Sequence, residues 1–179
     1  NIKNALKNCD VFWDLSQHNM PFYQENNLDV LMKKKGIFGP YVFQKKQKEM
    51  RTFNKKHIIF YGTLNDRRRG LIKNFQGPKV KIAQRIYGAK LNRIIDRSAG
   101  VLNLHFAHGV YTEVPRVLSA YNRCRVLVSE TLASPFISSE HYISANNYEQ
   151  NKAEKTFKNF SSFVSDKYNF EVLLKEICM

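Results

Sequence analysis

Three consecutive arginines follow a turn at the end of an apolar run in the segment HIIFYGTLNDRRR. The pattern predicts a strand, a glycine turn and the cationic start of a helix. The first backbone N–H groups of a helix lack partners and lie at the positive end of its dipole, so an anion binds there favourably. Arginine adds paired N–H donors that match phosphate oxygens. The candidate phosphate-binding residues are Gly62, Thr63, Asn65, Arg67 and Arg68; the alternative is a solvated basic helix end.

A second candidate pair lies in the segment TEVPR. Glu113 is placed at a predicted helix start, where the helix dipole stabilises a carboxylate, and Arg116 follows three residues later on the same side. Together the two side chains can bind a polar ligand. The alternative is a helix-start carboxylate with a surface ion pair.

Glu130 ends a predicted strand in the sequence VSE. An ionised carboxylate only accepts hydrogen bonds, so it can bind two ligand hydroxyls; the alternative is that it caps the next turn with Ser129. His105 and His108 follow another apolar strand. Because no further ligands are evident at fitting distances, we expect hydrogen-bonding histidines and no metal site.

Three aromatic residues, Trp13, Tyr61 and Tyr87, are expected in the core or in a pocket wall. They do not alternate with basic residues on a single strand, so the pattern does not favour base-stacking platforms.

Apolar, β-rich runs alternate with helical patterns in the middle of the chain, which predicts βαβ units and a parallel sheet. The predicted strands are 58–61, 80–83, 101–106 and 126–128, and the predicted helices between and after them are 67–75, 90–98 and 113–123. Ligands of such sheets bind outside the carboxyl ends of the strands. Polar groups follow all four strands, at 63–69, 87–90 (which includes Gly88), 105–113 and 129–134.

The rest of the chain is less regular. Short strands are predicted at 10–16 and 41–43, with Gly36 breaking the segment between them, and two closing helices at 148–164 and 166–178. We divide the chain into an N-terminal passage with a basic linker (1–56), a Rossmann-like core (57–145) and C-terminal helices that pack on the core (146–179).

The composition is that of a globular protein, with 43% hydrophobic and 13% aromatic residues, which excludes a disordered chain. Lys and Arg outnumber Asp and Glu by 29 to 15, for a formal net charge of +14. This charge favours nucleotide phosphates, nucleic acid or an acidic membrane surface as partners. No apolar run approaches the roughly 20 residues that span a bilayer. We expect a cytoplasmic protein, with peripheral attachment to anionic membrane as a further option.

Several segments, taken in order, resemble one protein family: FYGTLNDRRR, IYGAKLNRIIDRSAGVLNLHF and TEVPRVLSAYNRCRVLVSE. They look like the C-terminal, donor-binding lobe of bacterial glycosyltransferases with the GT-B architecture, in the group-1-like branch related to spore-coat and surface-polysaccharide transferases. The resemblance covers about residues 58–130, and VFWDLSQHN with IFGPYVF looks like the interlobe passage of the same family.

The resemblance implies a single Rossmann-like lobe that binds a nucleotide-sugar, which is a donor substrate and not a cofactor. It places Arg67 and Arg68 near the diphosphate, Glu113 and Arg116 near the sugar or phosphate, and Glu130 near ribose or sugar. Transfer in this architecture is usually metal-independent, with positive groups stabilising the leaving diphosphate. A glycan or lipid-linked acceptor and a separate acceptor-binding lobe or chain are the implied partners.

The sequence departs from this family at one familiar motif. Many related transferases carry two glutamates seven residues apart, whereas Glu113 is followed by Ala120. The resemblance therefore assigns no catalytic residue. The alternative function is a non-catalytic basic α/β module that binds nucleic acid or an acidic polysaccharide.

Overall fold

The computed structural model of the chain describes residues 2–28, 35–51 and 57–178. Its strands are β1 (Val11–Asp14), β2 (Lys35–Phe38), β3 (His57–Tyr61), β4 (Lys79–Ala83), β5 (Gly100–Asn103), β6 (Val126–Ser129) and β7 (Ile143–Ser144). Its α-helices are α1 (Ile2–Asn8), α2 (Met20–Glu25), α3 (Asp66–Lys73), α4 (Gly88–Asp96), α5 (Val114–Asn122), α6 (Ala153–Lys167) and α7 (Phe170–Cys178).

Five strands form one parallel sheet in the order β4-β3-β5-β6-β7. Every residue of β5 and β6 is buried, as expected for parallel strands covered on both faces. The predicted α/β class, a Rossmann-like parallel sheet flanked by helices, is confirmed. The strands and helices predicted between residues 58 and 128 all form, with bounds shifted by at most three residues.

The two faces of this sheet bury different helices. Ile58 and Phe60 of β3 pack on the face that carries α3. Ile59, between them, points to the opposite face, where α4, α5 and α6 contribute to the larger apolar cluster. This alternation follows from the period of two along a strand. The sheet is therefore a middle layer, and the loops at its carboxyl edge leave toward both faces.

A second, small parallel sheet pairs β1 with β2. Gly36, at which the sequence predicts a break, lies inside β2. A Cβ there would lie 2.5 Å from the ring of Phe12, so glycine is needed for close packing across the pair. The predicted strand at 41–43 is also absent; these residues form a turn and an isolated bridge from Phe43 to Asn169.

The two C-terminal helices pack on different parts of the protein. Phe157 and Phe160 of α6 are buried against the large sheet. In α7, Leu173 packs instead with Ile37 and Tyr41 beside the small sheet. Within the predicted basic linker, Met50 packs against the main core, and residues 52–56 lie outside the described residues.

Candidate functional site

The order of the large sheet creates a crevice at its carboxyl edge. The chain runs from β3 to β4 on one side and then returns to β5 on the other side of β3. Loops that leave neighbouring strands toward opposite faces open a cleft, which is where ligands of open α/β sheets bind. A cavity of about 870 Å³ lies at this edge, between the ends of β3 and β4 and the start of α5. This volume is typical of small-molecule sites.

Arg116 forms the floor of this cavity from the first turn of α5. Its side chain is buried, its Nε donates to the carbonyl of Tyr61 at 3.1 Å, and its Nη1 donates to Oδ1 of Asn103 at 3.1 Å. It also pairs with Glu113. Burial, together with the charge of nearby Arg68, lowers the pKa of Arg116 to about 10. The guanidinium is therefore still charged at neutral pH, and its position is fixed.

Glu113 joins two arginines from different elements. It pairs with Arg116 of its own helix and accepts from Nη2 of Arg68 in α3 at 2.6 Å. The two buried guanidinium groups thus share one carboxylate, and the cluster keeps a net positive charge. Glu113 is also the residue that precedes α5, so the positive end of this helix points to the same place. Both charges favour the binding of an anion at the floor of the cavity.

Gly62 permits this arrangement. Its φ is +119°, and a Cβ built on it would lie 3.1 Å from Nη2 of Arg116. A side chain at this position would be strained in its backbone and would press on the guanidinium. Because glycine has no side chain, the turn after β3 does not crowd the guanidinium of Arg116.

Arg68 lies inside the protein and not in the cavity. Its guanidinium donates to the carbonyls of Thr63 at 2.7 Å, Leu104 at 2.7 Å and His105 at 3.2 Å, and to Glu113. Only 3% of the residue is exposed. Its donors are directed at the protein itself, so Arg68 ties the loop after β3 to the end of β5.

Arg67 and Glu130 make a two-pronged ion pair with each other. Arg67 Nη1 donates to Glu130 Oε2 at 2.9 Å, and Nη2 donates to Oε1. Glu130 also accepts from the backbone N–H of His105 at 2.7 Å. Burial alone would raise the pKa of the Glu130 carboxyl, but these hydrogen bonds hold this pKa below its ordinary value. The pair therefore links α3 to the ends of β5 and β6.

Asn65 caps α3 and holds the loop after β5. Its Oδ1 accepts from the backbone N–H of Arg68 at 2.9 Å, and its Nδ2 donates to the carbonyl of Phe106 at 2.7 Å. An asparagine at this position satisfies one of the free N–H groups of the helix start. The cap thus orients α3 at the strand ends.

His105 is fully buried beneath Tyr111, with 4.2 Å between the ring centroids. Its Nδ1 lies 3.0 Å from the carbonyl of Gly109; since a carbonyl only accepts, this contact assigns the proton to Nδ1. Burial lowers the pKa of the imidazole. Among the described residues, no group of three or more His, Cys, Asp or Glu is arranged to hold a metal ion.

The structure thus divides the predicted site residues into two groups. Four of them line the cavity: Gly62, Thr63, Glu113 and Arg116. The other six do not line the cavity. Gly88 is the first residue of α4. The remaining five connect the elements around the cavity: Asn65, Arg67, Arg68, His105 and Glu130.

Sequence reasoning missed several residues that line the cavity: Leu15, Gln84, Arg85, Ile86 and Leu91. Most of them could have been found, because they belong to the loop after β4 or to the helix that follows it. Leu15 comes from the small N-terminal sheet region, and no pattern in the sequence indicates that it approaches the large sheet.

Comparison of the sequence with known protein-family models and with curated proteins finds no match. Within the part of the chain that the structure describes, each helix is too short or too polar to cross a lipid bilayer.

Proposed function

We propose that the cavity binds a nucleoside-diphosphate sugar and that the chain is the donor-binding lobe of a glycosyltransferase. The observation that carries this proposal is the buried cluster of Arg68, Glu113 and Arg116, in which Glu113 and Arg116 line the cavity and Arg68 pairs with Glu113 from inside the protein. The net positive charge of this cluster and the positive end of the α5 dipole both lie at the crevice at the carboxyl edge of the sheet. A diphosphate is an anion that matches both features.

The same floor suits the chemistry of glycosyl transfer. In that reaction the bond between the anomeric carbon and the diphosphate oxygen breaks, and the diphosphate leaves with the electron pair. The acceptor hydroxyl oxygen forms the new bond to the anomeric carbon, and its proton passes to the leaving diphosphate. A fixed cation beside the leaving diphosphate stabilises the charge that develops on it. Arg116 is the residue to which we assign this role, because it lines the cavity and its position is already fixed.

The alternative, a basic module for nucleic acid or acidic polysaccharide, fits the cavity less well. Among the described residues that line it, only two are basic, Arg85 and Arg116. Apolar side chains such as Leu15, Ile86 and Leu91 make up much of the wall. Grooves that hold a polyanion instead place basic side chains along the whole backbone path. The shape and lining therefore favour a small ligand with one anionic and one less polar part.

A melting-temperature panel tests the proposal. Purified chain is heated with UDP, GDP, CDP or ADP, with their sugar conjugates, and with single-stranded oligonucleotides at two salt concentrations. We expect at least one nucleotide to raise the melting temperature, because a ligand that binds only the folded state stabilises it. If only oligonucleotides do so, and the effect falls with salt, the transferase proposal is wrong.

A further inference from the structure

The loop between β6 and β7 folds back on itself shortly before β7 begins. The backbone N–H of His141 donates to the carbonyl of Ile137 at 2.9 Å. In the other direction, the backbone N–H of Ile137 donates to Nδ1 of the His141 ring at 3.0 Å. Two hydrogen bonds of opposite direction thus join the same two residues. We call residues 137–141, which these bonds close, the histidine turn.

The ring of His141 also holds the histidine turn against α6. His141 is only 6% exposed, and its ring stacks on that of Phe163 with 4.0 Å between the centroids and 17° between the planes. The ring of Phe136, which is buried in the main apolar cluster, lies beside it at 6.4 Å and nearly perpendicular. One side chain therefore supplies both the hydrogen bond that closes the turn and the contact that attaches the turn to α6.

The hydrogen bond fixes the protonation state of this ring. A backbone N–H only donates, so Nδ1 of His141 must present its lone pair, and the ring is neutral with its proton on Nε2. A second proton can be added only at Nδ1, where it would meet the N–H of Ile137 and break the hydrogen bond. It would also place a charge beside two aromatic rings and away from water, which is costly. The closed turn is therefore compatible only with the neutral imidazole.

The surroundings of the imidazole favour this neutral form. Burial has the largest effect and lowers the pKa of His141 below its ordinary value of 6.5. Two charged groups face the ring: Glu140, in the turn itself, raises the pKa of His141, and Lys167 of α6 lowers it. Lys167 also lies over the ring of Phe163, with Nζ 5.6 Å from the centroid. The stabilising contribution of the neutral ring is therefore complete above about pH 6.5 and is lost as the pH falls through the lower folded value.

We propose that the histidine turn is a pH-sensitive switch: with His141 neutral it holds the β6–β7 loop on α6, and protonation of Nδ1 releases the turn. The two strands stay paired, because Ala145, after β7, donates its N–H to the carbonyl of Ser129 at 2.8 Å. The switch lies in a loop next to the cavity, since the carbonyl of Ala133 is 3.5 Å from Oγ1 of Thr112, which lines it. A change of pH thus acts on a loop that contacts the cavity wall, whichever ligand the cavity holds.

Hydrogen exchange followed by mass spectrometry tests the switch in the whole chain. Peptides from the β6–β7 loop and from α6 are compared between about pH 7.5 and about pH 5, after correction for the intrinsic effect of pH on exchange. We expect the protection of the N–H groups of Ile137 and His141 to fall by about tenfold, the effect of a one-unit difference in pKa between the closed and the released turn. Protection in the middle of α6, around Phe160, should stay constant. Equal losses in both peptides would mean global unfolding and would overturn the proposal.

His141→Gln and His108→Gln form a matched pair. Glutamine at position 141 keeps a hydrogen-bond acceptor but does not titrate, so the corrected protection of the loop should no longer depend on pH. His108 is exposed in the loop after β5, and its substitution should leave the wild-type pH dependence intact. Nitrogen chemical shifts of the His141 ring need no variant: at about pH 7.5, Nδ1 should be unprotonated and Nε2 protonated. Persistent pH dependence in His141→Gln, or a proton on Nδ1 in the wild type at this pH, would overturn the proposal.

Discussion

Gly62 and Arg116 lie close together at the floor of the cavity: a Cβ built on Gly62 would lie 3.1 Å from Nη2 of Arg116. Gly62 also has a φ of +119°. We expect Gly62→Ala to reduce the free energy of unfolding by about 1–3 kcal/mol, since both the backbone and the guanidinium must shift. Urea unfolding followed by circular dichroism measures this change.

Gly70→Ala is the control for that substitution. Gly70 lies within α3, and no neighbouring atom lies within 4 Å of its Cβ position. Alanine there should stabilise the protein by roughly 0.5–1 kcal/mol, because glycine is a poor helix former. Equal effects of the two substitutions would contradict the role assigned to the contact of Gly62 with Arg116.

Arg68 is expected to be structural. Arg68→Met removes the hydrogen bonds to three backbone carbonyls and leaves Glu113 without one of its two partners. Breaking a buried pair on one side costs about 3–5 kcal/mol, which urea unfolding can measure. Arg69→Met, at a neighbouring exposed position, should stay within about 0.5 kcal/mol of the wild type. Similar losses of unfolding free energy in both variants would show that the burial of Arg68 does not contribute to stability.

Glu130 is expected to make the fold sensitive to acid. Its hydrogen bonds with Arg67 and His105 lower the pKa of its carboxyl in the folded state. Its stabilising contribution is therefore present above the ordinary glutamate pKa of 4.5 and is lost as the pH falls through the lower folded value.

Glu130→Gln tests this dependence. The variant should be less stable than the wild type at pH 7, and the difference should shrink as the pH falls below about 4.5. Unfolding free energies measured between pH 7 and pH 3 provide the comparison. A difference that stays constant over this range would mean that the carboxylate charge does not contribute.

The sheet could be predicted because its strands are short apolar runs between helices with regular spacing. A parallel strand that is buried on both faces carries apolar residues at consecutive positions, so it is visible as an apolar run in the sequence. The small sheet could not be predicted in the same way, since glycine normally interrupts a strand, whereas at Gly36 a side chain would collide with the ring of Phe12. A packing contact of this kind is not visible in local sequence.

The strand-end rule places the candidate residues at the carboxyl edge of the sheet, and four of them, Gly62, Thr63, Glu113 and Arg116, line one cavity in the structure. It could not predict that Arg67 pairs with Glu130, because the two residues are 63 positions apart and pairing depends on side-chain direction. Arg67 and Arg68, which the sequence predicts to bind a ligand, thus bind the protein itself. Of the two arginines that line the cavity, Arg116 comes from α5 and Arg85 from the loop after β4.

The most direct test of the account is a calorimetric titration of the wild type and of Arg116→Gln with the nucleoside diphosphate that raises the melting temperature most. Circular dichroism establishes beforehand that the variant is folded. We expect one saturable site per chain in the wild type and at least about tenfold weaker binding in the folded variant, the equivalent of 1.4 kcal/mol. Unchanged affinity in Arg116→Gln, or no saturable binding in the wild type, would contradict it.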